Sequence, residues 1–155
     1  MHKKIKNQRK SLKRQFKRTL TVKEGVTAYK PTPLSTAHWY RKLNQMLFNN
    51  KLSGCEIQIR KLHNDWGRCV ADWDNRKCRK GTFNQRVIPY DKCDVFYRIE
   101  LHCKFPKWKD FIETLAHEMV HLYQMTVIKD PYSNHNQNFY AFVPKFKAFG
   151  LRLYR

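Results

Sequence analysis

The chain has 155 residues, 41% hydrophobic and 14% aromatic, enough to bury one core and too few for two full domains. Its 32 Lys and Arg against 12 Asp and Glu leave a formal charge of +20, which favours polyanionic partners and disfavours a cationic substrate. No apolar run approaches the roughly 18 residues of a spanning helix and the N-terminus has no apolar signal segment, so neither a membrane-embedded nor a conventionally secreted protein is expected, but an intracellular monomer, cytoplasmic or associated with a nucleoid or nucleus.

Residues 1–18 hold nine Lys and Arg and no acid, leaving 23 basic against 12 acidic residues elsewhere. Ile5, Leu12, Phe16 and Leu20 would fall near one face of a helix, but a stretch this charged is expected to be flexible alone and to order on a polyanion. TAYKPTPLST supplies two prolines and reads as a linker. The expected organisation is therefore a basic arm and linker over 1–34 and a folded domain over 35–155, with Ser35 placed to cap its first helix.

From Thr36, Trp39, Leu43, Met46 and Leu47 recur at helical intervals up to Asn49 and Asn50. CEIQIRK alternates in the strand manner, GRCVADW is a second short strand candidate, and DVFYRIELHCKF reads as a third strand, stopped by Pro106. The intervening DNRKCRKGTFNQRVIP is polar and rich in turn formers. A long helix is predicted from Lys107 to about Val127, with Trp108, Phe111, Ile112, Leu115, Met119 and Leu122 on a broad apolar face. A last helix begins near Asn136 and must bend or restart near Pro144. Cys55, Cys69, Cys78, Cys93 and Cys103 form no CxxC pair, which predicts reduced thiols rather than a disulfide framework or zinc ribbon. The spacings of His63, Cys69, Cys78, Cys93, His102 and Cys103 match no compact second metal site.

Within the long helix, LAHEMVHLYQ places His117, Glu118 and His121 in an apolar setting, where ionisable groups need a partner that offsets their desolvation. Positions i and i+4 share a face, so both imidazoles can meet one Zn²⁺ ion, in the HExxH pattern. Glu118 can then take the proton of an attacking water without binding the metal itself. A catalytic zinc requires a third protein ligand and an open position. His135, fourteen residues beyond His121 and past the turn KDPYSN, is the candidate; His38, His63 and His102 are less suited. Tyr123, Tyr132 and Tyr140 are equally open as oxyanion partners.

The stretches LNQMLFNNKLSGCEIQIR, WGRC, YRIELH, FIETLAHEMVHLYQ and HNQNF together resemble the SprT-like family of zincin metallopeptidases, over about Ala37 to Gly150. The resemblance implies an α+β fold, a small zincin-like domain with a short antiparallel or mixed sheet packed on helices and HExxH on the long active-site helix. It implies His117, His121 and His135 as ligands of one Zn²⁺, Glu118 as general base and Phe139 as a packing residue. It also implies that YRIELH runs along the cleft edge, where an extended polypeptide can add as a strand. Family members often carry Gly directly after the third His; here it is Asn136.

The expected function is cleavage of proteins bound or crosslinked to nucleic acid, single-stranded DNA in particular. Lys3, Lys4, Lys6, Arg9, Lys10, Lys13, Arg14, Lys17 and Arg18, with Arg76, Lys77, Arg79 and Lys80 as a second cluster, would neutralise phosphates. Trp66 and Trp73 could stack on unpaired bases, although aromatic residues beside short strands more often serve the core. The competing expectations are a nucleic-acid-binding adaptor whose zinc site is structural or inactive, and a peptidase with no nucleic-acid role.

Overall fold

The computed structural model describes residues 2–74, 88–91, 93–130 and 132–154. Among the described residues five helices and five strands follow one another: α1 (His2–Lys23), β1 (Thr27–Tyr29), α2 (Pro33–Phe48), β2 (Glu56–Arg60), β3 (Gly67–Trp73), β4 (Val95–His102), β5 (Phe105–Lys107), α3 (Trp108–Tyr123), α4 (Gln137–Tyr140) and α5 (Val143–Ala148). The last turn of α3 widens into a π-helical segment, Gln124–Ile128. The fold is α+β, as the sequence predicts.

α3 organises the core. Phe111, Ile112, Leu115, Ala116, Met119 and Val120 are fully buried on it, and Trp108 nearly so, which is the apolar face read from the periodicity. Its start is fixed by Trp108 N–H donating to the Val26 carbonyl and by the Asp110 carboxylate accepting from Lys107 N–H. An acid in the first turn also complements the helix dipole. α2 begins two residues before the expected cap: Thr32 is the N-cap, and Ser35 is its reciprocal partner in a capping box, an arrangement that satisfies two otherwise orphaned groups.

A three-stranded sheet in the order β2-β4-β3 lies against α3, with β2 parallel and β3 antiparallel to β4. This corrects one expectation. β4, which contains YRIELH, is the central strand, and β2 and β3 are the two edges. Central placement fits its composition, because Ile99 and Leu101 are fully buried and Glu100 is 1% exposed. The Glu100 carboxylate is held by Arg60, Arg68 and Arg98, and Arg98 also pairs with Asp72. β3 approaches α3 so closely that a Cβ on Gly67 would lie 2.8 Å from Thr114 Cγ2 and 3.3 Å from the Glu100 carbonyl oxygen. Only glycine permits this packing one turn before His117.

Residues 1–34 differ from the flexible arm and linker expected. α1 is a 22-residue helix, and Phe16 is 3% exposed, set edge-on against Trp39 and Phe149. Leu12 and Leu20 pack partly beside it. β1 then pairs antiparallel with β5. One well-placed aromatic side chain, flanked by two leucines, docks a helix most of whose other positions are polar. Among the described cysteines, Cys55, Cys69 and Cys103 are free, whereas Cys93 is disulfide-bonded, which corrects the expectation of reduced thiols throughout.

Candidate metal centre

α3 carries His117 and His121 one turn apart, and the chain after the π-helical segment returns so that His135 closes the group. His135 Nε2 lies 3.2 Å from His121 Nε2 and 3.3 Å from His117 Nε2. Ligands held tetrahedrally at roughly 2.0–2.1 Å from a zinc ion are about 3.3–3.4 Å apart, so the donor spacing fits that ion. Among the described residues, no other group of three His, Cys, Asp or Glu side chains converges in this way, and His38, His63 and His102 take no part. The fully buried Phe139 ring touches all three imidazoles, with centroids 4.9, 5.1 and 4.6 Å from His117, His121 and His135. It forms the floor on which the donors stand.

The two helical imidazoles are neutral. Burial first, then the neighbouring histidines, pushes His117 down to about 4. Burial likewise pushes His121 down to about 4, against the opposing hydrogen bond to Gln124. A neutral ring with one nitrogen carrying hydrogen and the other a lone pair is the form that binds a metal. His117 interacts with the Tyr154 main chain, which leaves Nε2 facing the centre. His121 Nδ1 is 2.9 Å from Gln124 Oε1.

Glu118 is 5% exposed, and its Oε2 has no hydrogen-bond partner among the described residues. Desolvation, then the charge of Asp65, pushes its carboxyl up to about 8. A dication at the three histidines is the opposite charge that favours its ionised form. Glu118 and His121 line both halves of a cleft. One half, about 530 Å³, is bounded by Trp66, Gly67, Thr114, Arg152 and Tyr154; the other is bounded by Arg68, Cys69, Ala71, Trp73 and Tyr132. β3, which pairs only with β4 among the described residues, therefore runs past the centre as an edge strand, the role expected of YRIELH.

Charge in the first half is the reverse of the whole. Asp65, Asp110, Glu113 and Glu118 face it with Arg152, so the argument from net charge against a cationic substrate does not hold locally. Trp66 and Trp73 both line the cleft, and Trp66 also stacks near His102 and Phe105. Of the three tyrosines considered, Tyr123 is packed against Phe48 and Phe142, Tyr140 lines neither half, and Tyr132 lines the second half. Tyr154, which the sequence reading missed, lines the first.

The nine cations Lys3, Lys4, Lys6, Arg9, Lys10, Lys13, Arg14, Lys17 and Arg18 are all exposed on α1. Arg9 bonds Asn49 at the end of α2. Burial, then the charges of Arg9 and Lys51, lowers the Lys145 ammonium below its usual value, so the basic surface crosses from α1 to the loop after α2 and to α5. Neither Lys51 nor Lys145 was distinguishable in the sequence from an ordinary surface lysine. Arg76, Lys77, Arg79 and Lys80 lie outside the described residues.

Gln124 and Asp130 also escaped the sequence reading, as did the bonds that Asn136 makes to them. Gln124 is fully buried; its Nε2 donates to the Asn134 carbonyl at 2.9 Å and to Asn136 Oδ1 at 3.0 Å. Asn136 Nδ2 donates to Asp130 Oδ2 at 2.7 Å. Burial opposes the Asp130 charge, but hydrogen bonds from Asn136, Tyr132, Asn138 and Ser133 outweigh it and hold the carboxyl below its usual range. The available signal was a glutamine three residues after the second histidine, on the same helical face.

Comparison with curated proteins found no match. The SprT-like family model matches residues 36–152, a span that contains the three histidines, Glu118, Phe139 and the edge strand, and the chain belongs to the SprT-like family.

Proposed function

We propose that this protein is a zinc-dependent endopeptidase that cleaves proteins bound or crosslinked to nucleic acid. The observation that carries the reading is the convergence of three imidazole nitrogens beside a buried carboxylate, in a cleft bordered by an edge strand of the described sheet. His117, His121 and His135 would hold Zn²⁺. When bound, the ion supplies Lewis acidity, polarising the scissile carbonyl and making water acidic enough to react near neutral pH.

The chain's own residues account for the remaining steps. The exposed edge of β3 offers main-chain donors and acceptors to an extended substrate, which fixes its path past Glu118. Glu118 takes a proton from the attacking water and delivers it to the leaving amine. The walls of the cleft keep that carboxylate, 5% exposed, out of bulk solvent, where it would be hydrated rather than aimed.

Three ligands opening on a cleft favour catalysis over an adaptor with structural zinc, because structural sites are closed by four protein ligands. The nucleic-acid half of the proposal is supported by the exposed cations of α1 and by Lys51 and Lys145 beside Arg9. None of these cations lines either half of the cleft, so a strand bound to them would deliver its attached protein without filling the site. We place a single-stranded segment there, acting on one copy of the chain.

The test is cleavage of a DNA-binding protein by the zinc-loaded chain with and without single-stranded DNA. Faster cleavage with DNA, lost as salt is raised, is expected. Equal cleavage at every salt and DNA concentration would leave a peptidase with no nucleic-acid role.

A further inference from the structure

We infer that Asp130, Asn136 and Gln124 form a hydrogen-bond relay that sets the tautomer of His121 and ties the His135 loop to α3, preorganising the centre for its metal. The inference rests on the reading that the three histidines hold zinc, and it concerns residues that do not themselves touch the ion.

The direction of the relay follows from groups whose roles cannot be exchanged. The Asn134 carbonyl only accepts, so the Gln124 atom 2.9 Å from it is the amide nitrogen. Gln124 Oε1 must then face His121 Nδ1, and that nitrogen must carry the hydrogen. The Ser133 hydroxyl, 3.4 Å from the same nitrogen, can accept as well. His121 Nε2 is left with a lone pair directed at the centre. Asn136 is oriented in the same way, because its Oδ1 also accepts from the Phe139 main-chain N–H at 3.3 Å. Its Nδ2 therefore donates to Asp130, whose carboxylate further accepts from Tyr132 N–H and from Asn138.

A carboxylate thus acts on a ligand imidazole through two amides. Outer partners of this kind fix ring orientation and raise ligand basicity, and losing one typically costs about 10–100-fold in metal affinity. The relay also has a mechanical consequence. Asn136 adjoins His135 in sequence, so its bond to Gln124 holds the third ligand against the helix that carries the first two. Phe139, the floor of the site, is set by the same residue, since Asn136 caps α4.

Two measurements test this. In the metal-free wild type, nitrogen-15 spectra of the imidazoles should show His121 protonated at Nδ1; protonation at Nε2 would overturn the inference whether or not any variant folds. In chelator competition, Gln124→Met should bind zinc about 10–100-fold more weakly, with Asp130→Asn weakened less. A purely structural role would lower the melting temperature of Gln124→Met and leave the zinc affinity of its folded form unchanged, which would also overturn it. Absence of zinc binding by the wild type would refute the metal reading itself.

Discussion

α1 and the cleft beside α3 carry opposite charge. α1 displays nine exposed cations over residues 1–18 and docks through Phe16, whereas the first half of the cleft is lined by four carboxylates and Arg152. Phe16 meets Trp39 and Phe149, none of which lines the cleft. The contrast teaches that the net charge of +20 describes the surface that would recruit a substrate and not the surface that would cut it. Recruitment and chemistry should therefore separate under mutation, while sharing one folded unit.

The largest expected effect is at the chemical step. Glu118→Gln should lower turnover by about 10²–10⁴-fold, while zinc content and single-stranded DNA affinity stay at wild-type levels in direct binding assays. Loss of DNA binding in this variant would break the separation.

Phe16→Ala tests whether α1 belongs to the fold. Truncating a buried Phe costs about 3–5 kcal/mol, so urea unfolding should show a loss of that order. A flexible arm would leave the midpoint unchanged.

A smaller effect is expected from thinning the basic face. Replacing Lys10, Lys13, Arg14 and Lys17 by Gln should weaken single-stranded DNA binding and reduce its salt dependence by about 0.7 in logarithmic slope for each phosphate no longer neutralised. Hydrolysis of a short peptide, which needs no nucleic acid, is the control for that variant. The smallest effect concerns the cleft lining: in paired short peptides, Lys near the scissile bond should be cut several-fold faster than Glu, the order opposite to that suggested by net charge.

The parts of this molecule that were legible in its sequence are those set by short-range periodicity. The apolar spacing along α3, the alternation of CEIQIRK and the i, i+4 histidines each leave a local mark, and each element stands where it was read. The position of His135 was legible because a turn followed by a helix start leaves few places for a third ligand. Sheet order was not, because alternation in YRIELH marks a strand without saying which neighbours it pairs with. The docking of α1 was hidden for a related reason. Phe16 is one aromatic residue among many cations, and its burial depends on Trp39 and Phe149, far away in the chain. The relay was the least legible feature, since Gln124 sits where α3 widens into a π turn and its partners lie on a loop whose path the sequence does not encode locally. Asn136, which read as a helix start and a departure from glycine, caps α4 and also binds both Gln124 and Asp130.

The most direct test of the central claim is a time course of protein cleavage by the zinc-loaded chain beside Glu118→Gln, with zinc content measured in both. The account predicts cleavage by the wild type, its loss in the variant, and equal zinc in the two. Cleavage at equal rates, or none by either protein with zinc retained in both, would contradict it.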